Sequence, residues 1–224
     1  MKRLSLFVAA LGLAASAQAA TVSFNFTNVL QNTEINQSGL LGLFDSNLGT
    51  LTSATLRLTG EIAGDITVGL KQVASGPDDV KGTTISDMLI SSTIAALNPF
   101  LEDPNLQYTT GFVSLNPGAS QTVTGLTDSE LMTDTFNAPN AVLAALSAAG
   151  GGNFTINCRT SSGLLLNGGG GNAEGGNTTA ARCIGDITYT YDPRNHVPEP
   201  ASLLLFSAAL AGVALRRRRQ DGKA

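Results

Sequence analysis

The chain has 224 residues, with 13 basic and 17 acidic side chains and an aromatic content of only 5%. This length suits one domain with a proper hydrophobic core. Seven of the basic residues lie near the two ends, so the part between residues 20 and 197 carries a net charge of about −9. A surface of that sign argues against binding to nucleic acid or to anionic lipid.

The first 19 residues predict a signal peptide. Two basic residues are followed by an apolar stretch, and Ala17 and Ala19 fit the small-x-small pattern that signal peptidase cleaves. Cleavage after Ala19 would leave Ala20 as the first residue of the exported protein. The alternative is an uncleaved N-terminal anchor, which the shortness of the apolar stretch and the cleavage pattern disfavour.

Residues 20–193 predict an all-β domain. Segments rich in Thr, Ser and Val alternate polar and apolar residues, and turn residues separate them. Gly60 and the run from Gly76 to Asp79 are expected to form tight turns. The expected fold is an antiparallel β-sandwich, immunoglobulin-like or jelly-roll-like, with one short helical insert. The predicted strands cover residues 21–29, 51–59, 61–73, 83–91, 108–115, 120–126, 154–159 and 184–191.

Three stretches depart from the alternating pattern. Residues 140–149 are rich in Ala and Leu and predict the helical insert, which should end at Gly150. Residues 92–97 predict a single helical turn. The glycine-rich run 168–176 lacks the periodic aspartates of calcium-binding repeats, so it predicts a flexible surface loop.

Cys158 and Cys183 are the two cysteines of the chain, and an exported protein meets an oxidising compartment. Each lies on the apolar face of a predicted strand, so the two thiols could meet across the core. The sequence therefore predicts a disulfide that closes a loop of about 25 residues.

The sequence predicts no enzyme. Its single histidine, His196, lies in the linker after the domain, which excludes a Ser-His-Asp triad or a His-based zinc site within the domain. No Ser-x-x-Lys motif precedes Lys71 or Lys81. Tryptophan is absent, although glycan-binding clefts normally present aromatic platforms, and Tyr189 and Tyr191 are expected to belong to the core.

Acidic side chains offer the remaining candidates for chemistry. A pair of carboxylates would suffice for a glycosidase, but all of these acids fall in predicted loops and are expected to be solvated. Calcium binding is a better explanation of these acids than catalysis, because Ca²⁺ takes six to eight oxygen ligands, although no complete calcium loop is present. The paired acids are Asp78 with Asp79, Glu102 with Asp103, and Asp128 with Glu130 and Asp134; the weak calcium candidates are Asp78, Asp79, Asp128 and Glu130.

The C-terminal segment, residues 194–224, has three parts in a fixed order. Residues 194–200 form a linker that ends in Val197, Pro198, Glu199 and Pro200, and an apolar run follows at 201–215. At 1.5 Å per residue this run spans roughly 22 Å, short of the roughly 30 Å hydrocarbon core. The basic tail 216–224 begins with Arg216, Arg217, Arg218 and Arg219, which should stay on the cytoplasmic side of the inner membrane.

These C-terminal parts resemble a PEP-CTERM sorting signal. The resemblance implies recognition and cleavage by an exosortase, a membrane cysteine protease, in a Gram-negative bacterium that makes exopolysaccharide and biofilm. The alternative is an ordinary C-terminal membrane anchor. The protein is then expected to be a non-enzymatic component of the cell surface or extracellular matrix, with a calcium- or polysaccharide-binding adhesion module as the alternative.

A second resemblance lies in the domain. Leu43-Phe44-Asp45 and the run from Leu48 to Leu56 resemble the start of the choice-of-anchor E domain, and Asp186 to Tyr191 resemble its last strand. That domain is a β-rich module often joined to a PEP-CTERM tail. It transfers no catalytic residues to this chain.

Overall fold

The computed structural model describes residues 19–194. The predicted sorting segment and nearly all of the predicted signal peptide lie outside these residues. The described part holds twelve strands and one short α-helix, α1, at Ala141–Ala145. The strands are β1 Ala20–Thr27, β2 Gln31–Asn32, β3 Asn36–Gly42, β4 Phe44–Asp45, β5 Gly49–Leu70, β6 Asp78–Ser92, β7 Asn105–Thr109, β8 Val113–Leu115, β9 Ser120–Asn137, β10 Ser147–Ala148, β11 Asn153–Gly168 and β12 Ala173–Pro193.

Ten of these strands form two five-stranded antiparallel sheets that face each other. The first sheet has the order β1-β12-β5-β9, with β2 also beside β12. The second has the order β3-β11-β6-β7, with β8 also beside β6. A small parallel pair, β4 with β10, lies at one end. The prediction of an all-β, antiparallel sandwich with a short helix is confirmed.

The core lies between the two sheets because the long strands β5, β6, β11 and β12 turn alternate residues inward. In β12, for example, Cys183, Ile187 and Tyr189 are fully buried, while the even-numbered residues between them are partly exposed. Leu56 of β5 and Ile156 of β11 meet the same core. Alternation of this kind with period two is what places one face of each strand against the other sheet.

The predicted hairpin turn at Gly60 is wrong. β5 runs without a break from Gly49 to Leu70, and Gly60 pairs with Cys183 on one side and Glu130 on the other. A Cβ atom at Gly60 would lie 3.0 Å from Pro104 Cγ and 3.1 Å from Met88 Sδ. The glycine therefore makes room for the opposite sheet rather than for a change of direction.

The predicted flexible loop at 168–176 is also wrong in most of its length. β11 extends to Gly168, a short 3-10 turn spans Gly169–Gly171, and β12 begins at Ala173. All four residues from Gly168 to Gly171 have positive φ, a conformation that glycine adopts without steric cost. The glycines thus form a tight connection between the two sheets.

The helical predictions hold only in part. The insert forms one short helix, which Asn140 caps by accepting a hydrogen bond from Val142 N, and it ends earlier than predicted because β10 begins at Ser147. The helical turn predicted at 92–97 lies slightly later, as a 3-10 turn over Asn98–Phe100. The predicted strand 108–115 is two strands, β7 and β8.

Candidate functional site: the anchoring end and the acidic groups

Both boundaries of the described domain lie at one end of the sandwich. Ala20, the first residue of β1, pairs with Tyr191 of β12. Pro193, the last residue of β12, pairs with Gly49, and Arg194 N donates to Leu48 O at 2.9 Å. We call this end, with residues 20, 48–50 and 191–194, the anchoring end. It holds the backbone firmly up to the point where the sorting segment begins.

Asp45 braces the anchoring end. Its Oδ1 accepts from Asn47 N at 2.9 Å and from Gly150 N at 2.8 Å, so one carboxylate joins two loops. These backbone hydrogen bonds, with a smaller contribution from the positive charge of Arg194, lower the pKa of Asp45. The sequence marked Asp45 only as part of a family resemblance and did not mark Arg194, because both roles depend on contacts between distant segments.

Aromatic rings fill the core next to the anchoring end. The Phe44 ring lies 5.8 Å from that of Tyr189 and 5.1 Å from that of Tyr191. Tyr189 is fully buried, its hydroxyl donates to Gly42 O at 2.8 Å, and burial raises its pKa above the ordinary range. Both tyrosines therefore serve the core, as the sequence predicted, and neither forms a platform for a sugar.

The predicted disulfide is confirmed. Cys158 lies on β11 and Cys183 on β12, with Cα atoms 6.3 Å apart, and both residues are fully buried. Because these strands belong to different sheets, the bond joins the two layers of the sandwich. Nearby on the outer face, Arg182 forms an ion pair with Glu61 of the adjacent strand.

The four calcium candidates lie on two different sheets. Asp78 and Asp79 open β6 and pair with β8, whereas Asp128 and Glu130 lie within β9. The prediction that these acids sit in loops is therefore wrong for all four, which lie in strands β6 and β9. Asp128 Oδ2 already accepts from Gln107 N at 2.8 Å. Among residues 19–194, no group of three or more His, Cys, Asp or Glu side chains is placed to hold a metal ion.

One of the predicted acids, Asp134, has a raised pKa. Asp134 lies on β9, and its pKa is raised, first by partial burial and then by the negative charge of Glu102. Glu102 belongs to the segment between the 3-10 turn and β7. The pair comes from two segments that the sequence did not connect.

Polar depressions mark the outer face of the first sheet. Two adjoining ones, of ≈ 350 and ≈ 330 Å³, lie where Gly175 and Gly176 leave the surface of β12 without side chains. Their walls carry hydroxyl and carboxylate groups from Thr67, Thr122 and Glu174. No aromatic ring of the described residues lines either depression, so neither offers a stacking platform.

Within residues 19–194, no helix is long and apolar enough to cross a bilayer. The predicted membrane-spanning run at 201–215 lies outside that range.

Comparison with known families gives one match. Residues 196–219 match the PEP-CTERM protein-sorting motif, which confirms the resemblance at the C-terminus. The match extends from His196 through the four arginines. The motif indicates exosortase-dependent sorting of an exported protein that is anchored at the membrane before it is processed. The exported part is the antiparallel β domain described above.

Comparisons with individual proteins add little. No curated protein matches the chain. A chain from infectious bursal disease virus, Gx strain, is 9% identical with a TM-score of 0.13, over 87% of this chain and 47% of the viral one. The parasporin-2 toxin of Bacillus thuringiensis is 13% identical with a TM-score of 0.14, over 77% of this chain and 70% of the toxin. This chain thus spans about half the length of the viral chain. Scores this low carry no argument about fold or function.

Proposed function

We propose that this chain is a non-enzymatic component of the cell surface or extracellular matrix of an exopolysaccharide-producing Gram-negative bacterium. The sorting motif at residues 196–219 carries the proposal, because it specifies delivery rather than chemistry. The β domain supports it. The single histidine of the chain lies outside the domain, and the candidate acids of the domain are spread over two sheets.

The short distance between domain and motif fits this role. The backbone of Arg194 is held against Leu48, and only Asn195 and His196 separate it from Val197. Three residue steps reach at most about 11 Å, even when fully extended. The exosortase would therefore meet its motif directly beneath a folded domain, and what it delivers is that domain as a unit.

We also propose that the domain belongs with the choice-of-anchor E domains. The two segments that carry the resemblance come from opposite ends of the domain, yet they are adjacent strands. Leu56 pairs with Ile187 and Ala54 with Tyr189, both pairs in the β5–β12 ladder. Adjacent pairing of the first and last recognisable segments supports one module that starts and ends in the same sheet.

The sorting step is tested by the fate of the native protein in wild-type cells and in a strain without the exosortase. We expect intact mass and cell fractionation to show a form that begins near Ala20, lacks residues 201–224, and occurs at the surface or in the medium only in wild type. In the deletion strain the C-terminus should persist in the inner membrane.

A single substitution sharpens the test. Glu199→Gln removes the one charge of the Val-Pro-Glu-Pro segment at 197–200 and should block processing, whereas Glu102→Gln, at an exposed acid of the domain, should leave processing unchanged. A full-length C-terminus in the inner membrane of both strains would make the tail a plain anchor. If the strain without the exosortase lost its matrix but still processed this protein, the protein's sorting would not depend on the exosortase and the loss of matrix would have another cause.

A further inference from the structure

β11 and β12 each contain a stretch without a strand partner on one side, and both stretches lie on the same side of the sandwich. β3 pairs with β11 only as far as Arg159, and β2 pairs with β12 only at 180–181. Among the described residues, the stretches 161–168 of β11 and 173–178 of β12 consequently have a strand partner on one side alone. We call these stretches the open edges. Unpaired strand edges are templates for a further strand.

The direction of the backbone groups along β11 follows from the pairing. Thr160 N donates to Ile35 O at 3.2 Å, on the side of β3. Because alternate residues of a strand bond to opposite sides, the even-numbered residues of β11 direct their N–H and C=O groups to that side. Ser162, Leu164 and Leu166 therefore present their backbone groups to the open edge.

The open edge of β11 lacks the usual protection. Natural sheet edges are blunted by charged side chains, proline or bulges. From Ser161 to Asn167 the sequence reads Ser-Ser-Gly-Leu-Leu-Leu-Asn, without a charge or a proline. Leu165 is 51% exposed on the outer face. In a domain whose net charge would push copies apart, this stretch carries no charge at all.

We propose that a second copy of this chain pairs with the open edge of β11, antiparallel and across a two-fold axis at Leu164. In that register Leu164 faces its own copy, and Ser162 faces Leu166 of the second copy. These pairs are of the hydrogen-bonded type and supply about six backbone hydrogen bonds. The register keeps inward-facing side chains inward in both copies, as a slip by one residue would not.

Side-chain shape favours a second copy as the occupant. In the proposed register the exposed Leu165 lies opposite Gly163 of the other copy. No atom lies within 4 Å of the position that a Cβ would take at Gly163, so the space beside it is open. Each leucine therefore covers the glycine of its neighbour, twice by symmetry, as an isologous interface requires.

Along the strand direction, the open edge of β12 lies level with the open edge of β11. Leu164 pairs with Thr84, and Thr84 Oγ1 accepts from Asn177 Nδ2 at 3.1 Å across the sandwich. Thr33 N donates to Thr179 O, so the odd-numbered residues of β12 direct their backbone groups to this side. In the proposed dimer the same two-fold axis brings the residues around Asn177 of the two β12 edges close together, between the segments that β2 and Thr33 already cover.

Cross-linking tests the register. Directly opposed residues of the non-hydrogen-bonded type lie about 4.5 Å apart between Cα atoms, which a disulfide can bridge. We expect a mixture of the full-length variants Gly163→Cys and Leu165→Cys to give covalent dimer under mild oxidation, about tenfold more than either variant alone. Mixed Asp87→Cys and Leu89→Cys, on the same face but on interior strand β6, are the matched control.

Disruption provides a second measurement. Leu165→Lys places two like charges beside the axis and should reduce the dimer fraction about fivefold or more, measured by native mass spectrometry of the full chain. Leu89→Lys, which is 58% exposed in the unaltered chain, should leave it unchanged. Melting curves and an intact Cys158–Cys183 bond establish that each variant folds.

The proposal is overturned by equal cross-linking of the two cysteine mixtures, which indicates random collision, or by a purely monomeric unaltered protein. Neither result bears on exosortase-dependent sorting, which is read from the processed mass.

Discussion

At the scale of single residues, the buried disulfide links the two sheets of the domain. Cys158 and Cys183 lie on different sheets, and among residues 19–194 no other disulfide joins the two layers. The sequence predicted the bond from the parity of two strands, because the alternation around each cysteine is local. The partners of Asp45 were not predictable, because Gly150 lies 105 residues further along the chain.

Replacing both cysteines, Cys158→Ala with Cys183→Ala, should lower the free energy of unfolding by about 3 kcal/mol, since a loop of about 25 residues is released in the unfolded chain. Urea unfolding measures the loss. Reduced unaltered protein is the control and should lose a similar amount. A loss under about 1 kcal/mol would contradict a cross-sheet role for the bond.

Asp45 gives the anchoring end a dependence on pH. Its pKa is lowered in the folded state, so its stabilising effect is fully present above the ordinary aspartate pKa of about 3.9 and is lost as the pH falls through the lower folded value. Asp45→Ala should lower the melting temperature at pH 7, and the difference from the unaltered protein should shrink below about pH 4.

The matched control for that series is Asp192→Ala, an exposed acid at the same end without a side-chain hydrogen bond to the described residues. Its melting temperature should follow the unaltered protein throughout. A constant difference for Asp45→Ala across the whole pH range would show that the carboxylate acts by shape and not by charge.

At the scale of elements, glycine lets unusually long strands cross a packed core. β5 has 22 residues and β12 has 21, against the usual five or six. Gly64 of β5 lies where an added Cβ would collide with the carbonyl oxygen of Thr178 and the hydroxyl of Tyr108. The strand continues through such positions because no side chain is there.

Gly64→Ala should therefore destabilise the domain by about 1–3 kcal/mol, because backbone atoms of the neighbouring strand must move. Gly176→Ala on β12 is the control: nothing lies within 4 Å of its added Cβ, and its stability should change by less than about 1 kcal/mol. Chemical denaturation measures both. If both variants lost the same free energy of unfolding, the cause would be the strand propensity of the residue and not the collision of the added Cβ.

Glycines within strands also explain which elements the sequence could predict and which it could not. Alternation around Phe24, Ile156 and Ile187 indicated β1 and parts of β11 and β12, because those patterns are local; the predicted strands 154–159 and 184–191 cover less than half of each of the last two. Gly60 was interpreted as a turn, since glycine serves tight turns and close packing alike. β3 was missed because Gly39 and Gly42 interrupt its alternation, where the rings of Phe26 and Phe24 occupy the space.

At the scale of the whole molecule, the chain enters and leaves the domain at one place. Ala20 pairs with Tyr191, directly next to the predicted cleavage site of the signal peptide on one strand and the sorting segment on the other. The opposite end, with the turn at Gly169–Gly171, lies the length of β12 away, about 65 Å at the usual rise per residue.

That arrangement decides how the molecule would bear a mechanical load. β12 lies between β1 and β5, and its last residues continue toward the tail. Tension between the tail and the far end acts parallel to the strands. It therefore loads the backbone hydrogen bonds of β12 with β1 and with β5 together, and does not break them one after another. The strand that leads to the point of attachment is thus also the one whose neighbours best resist its being pulled out.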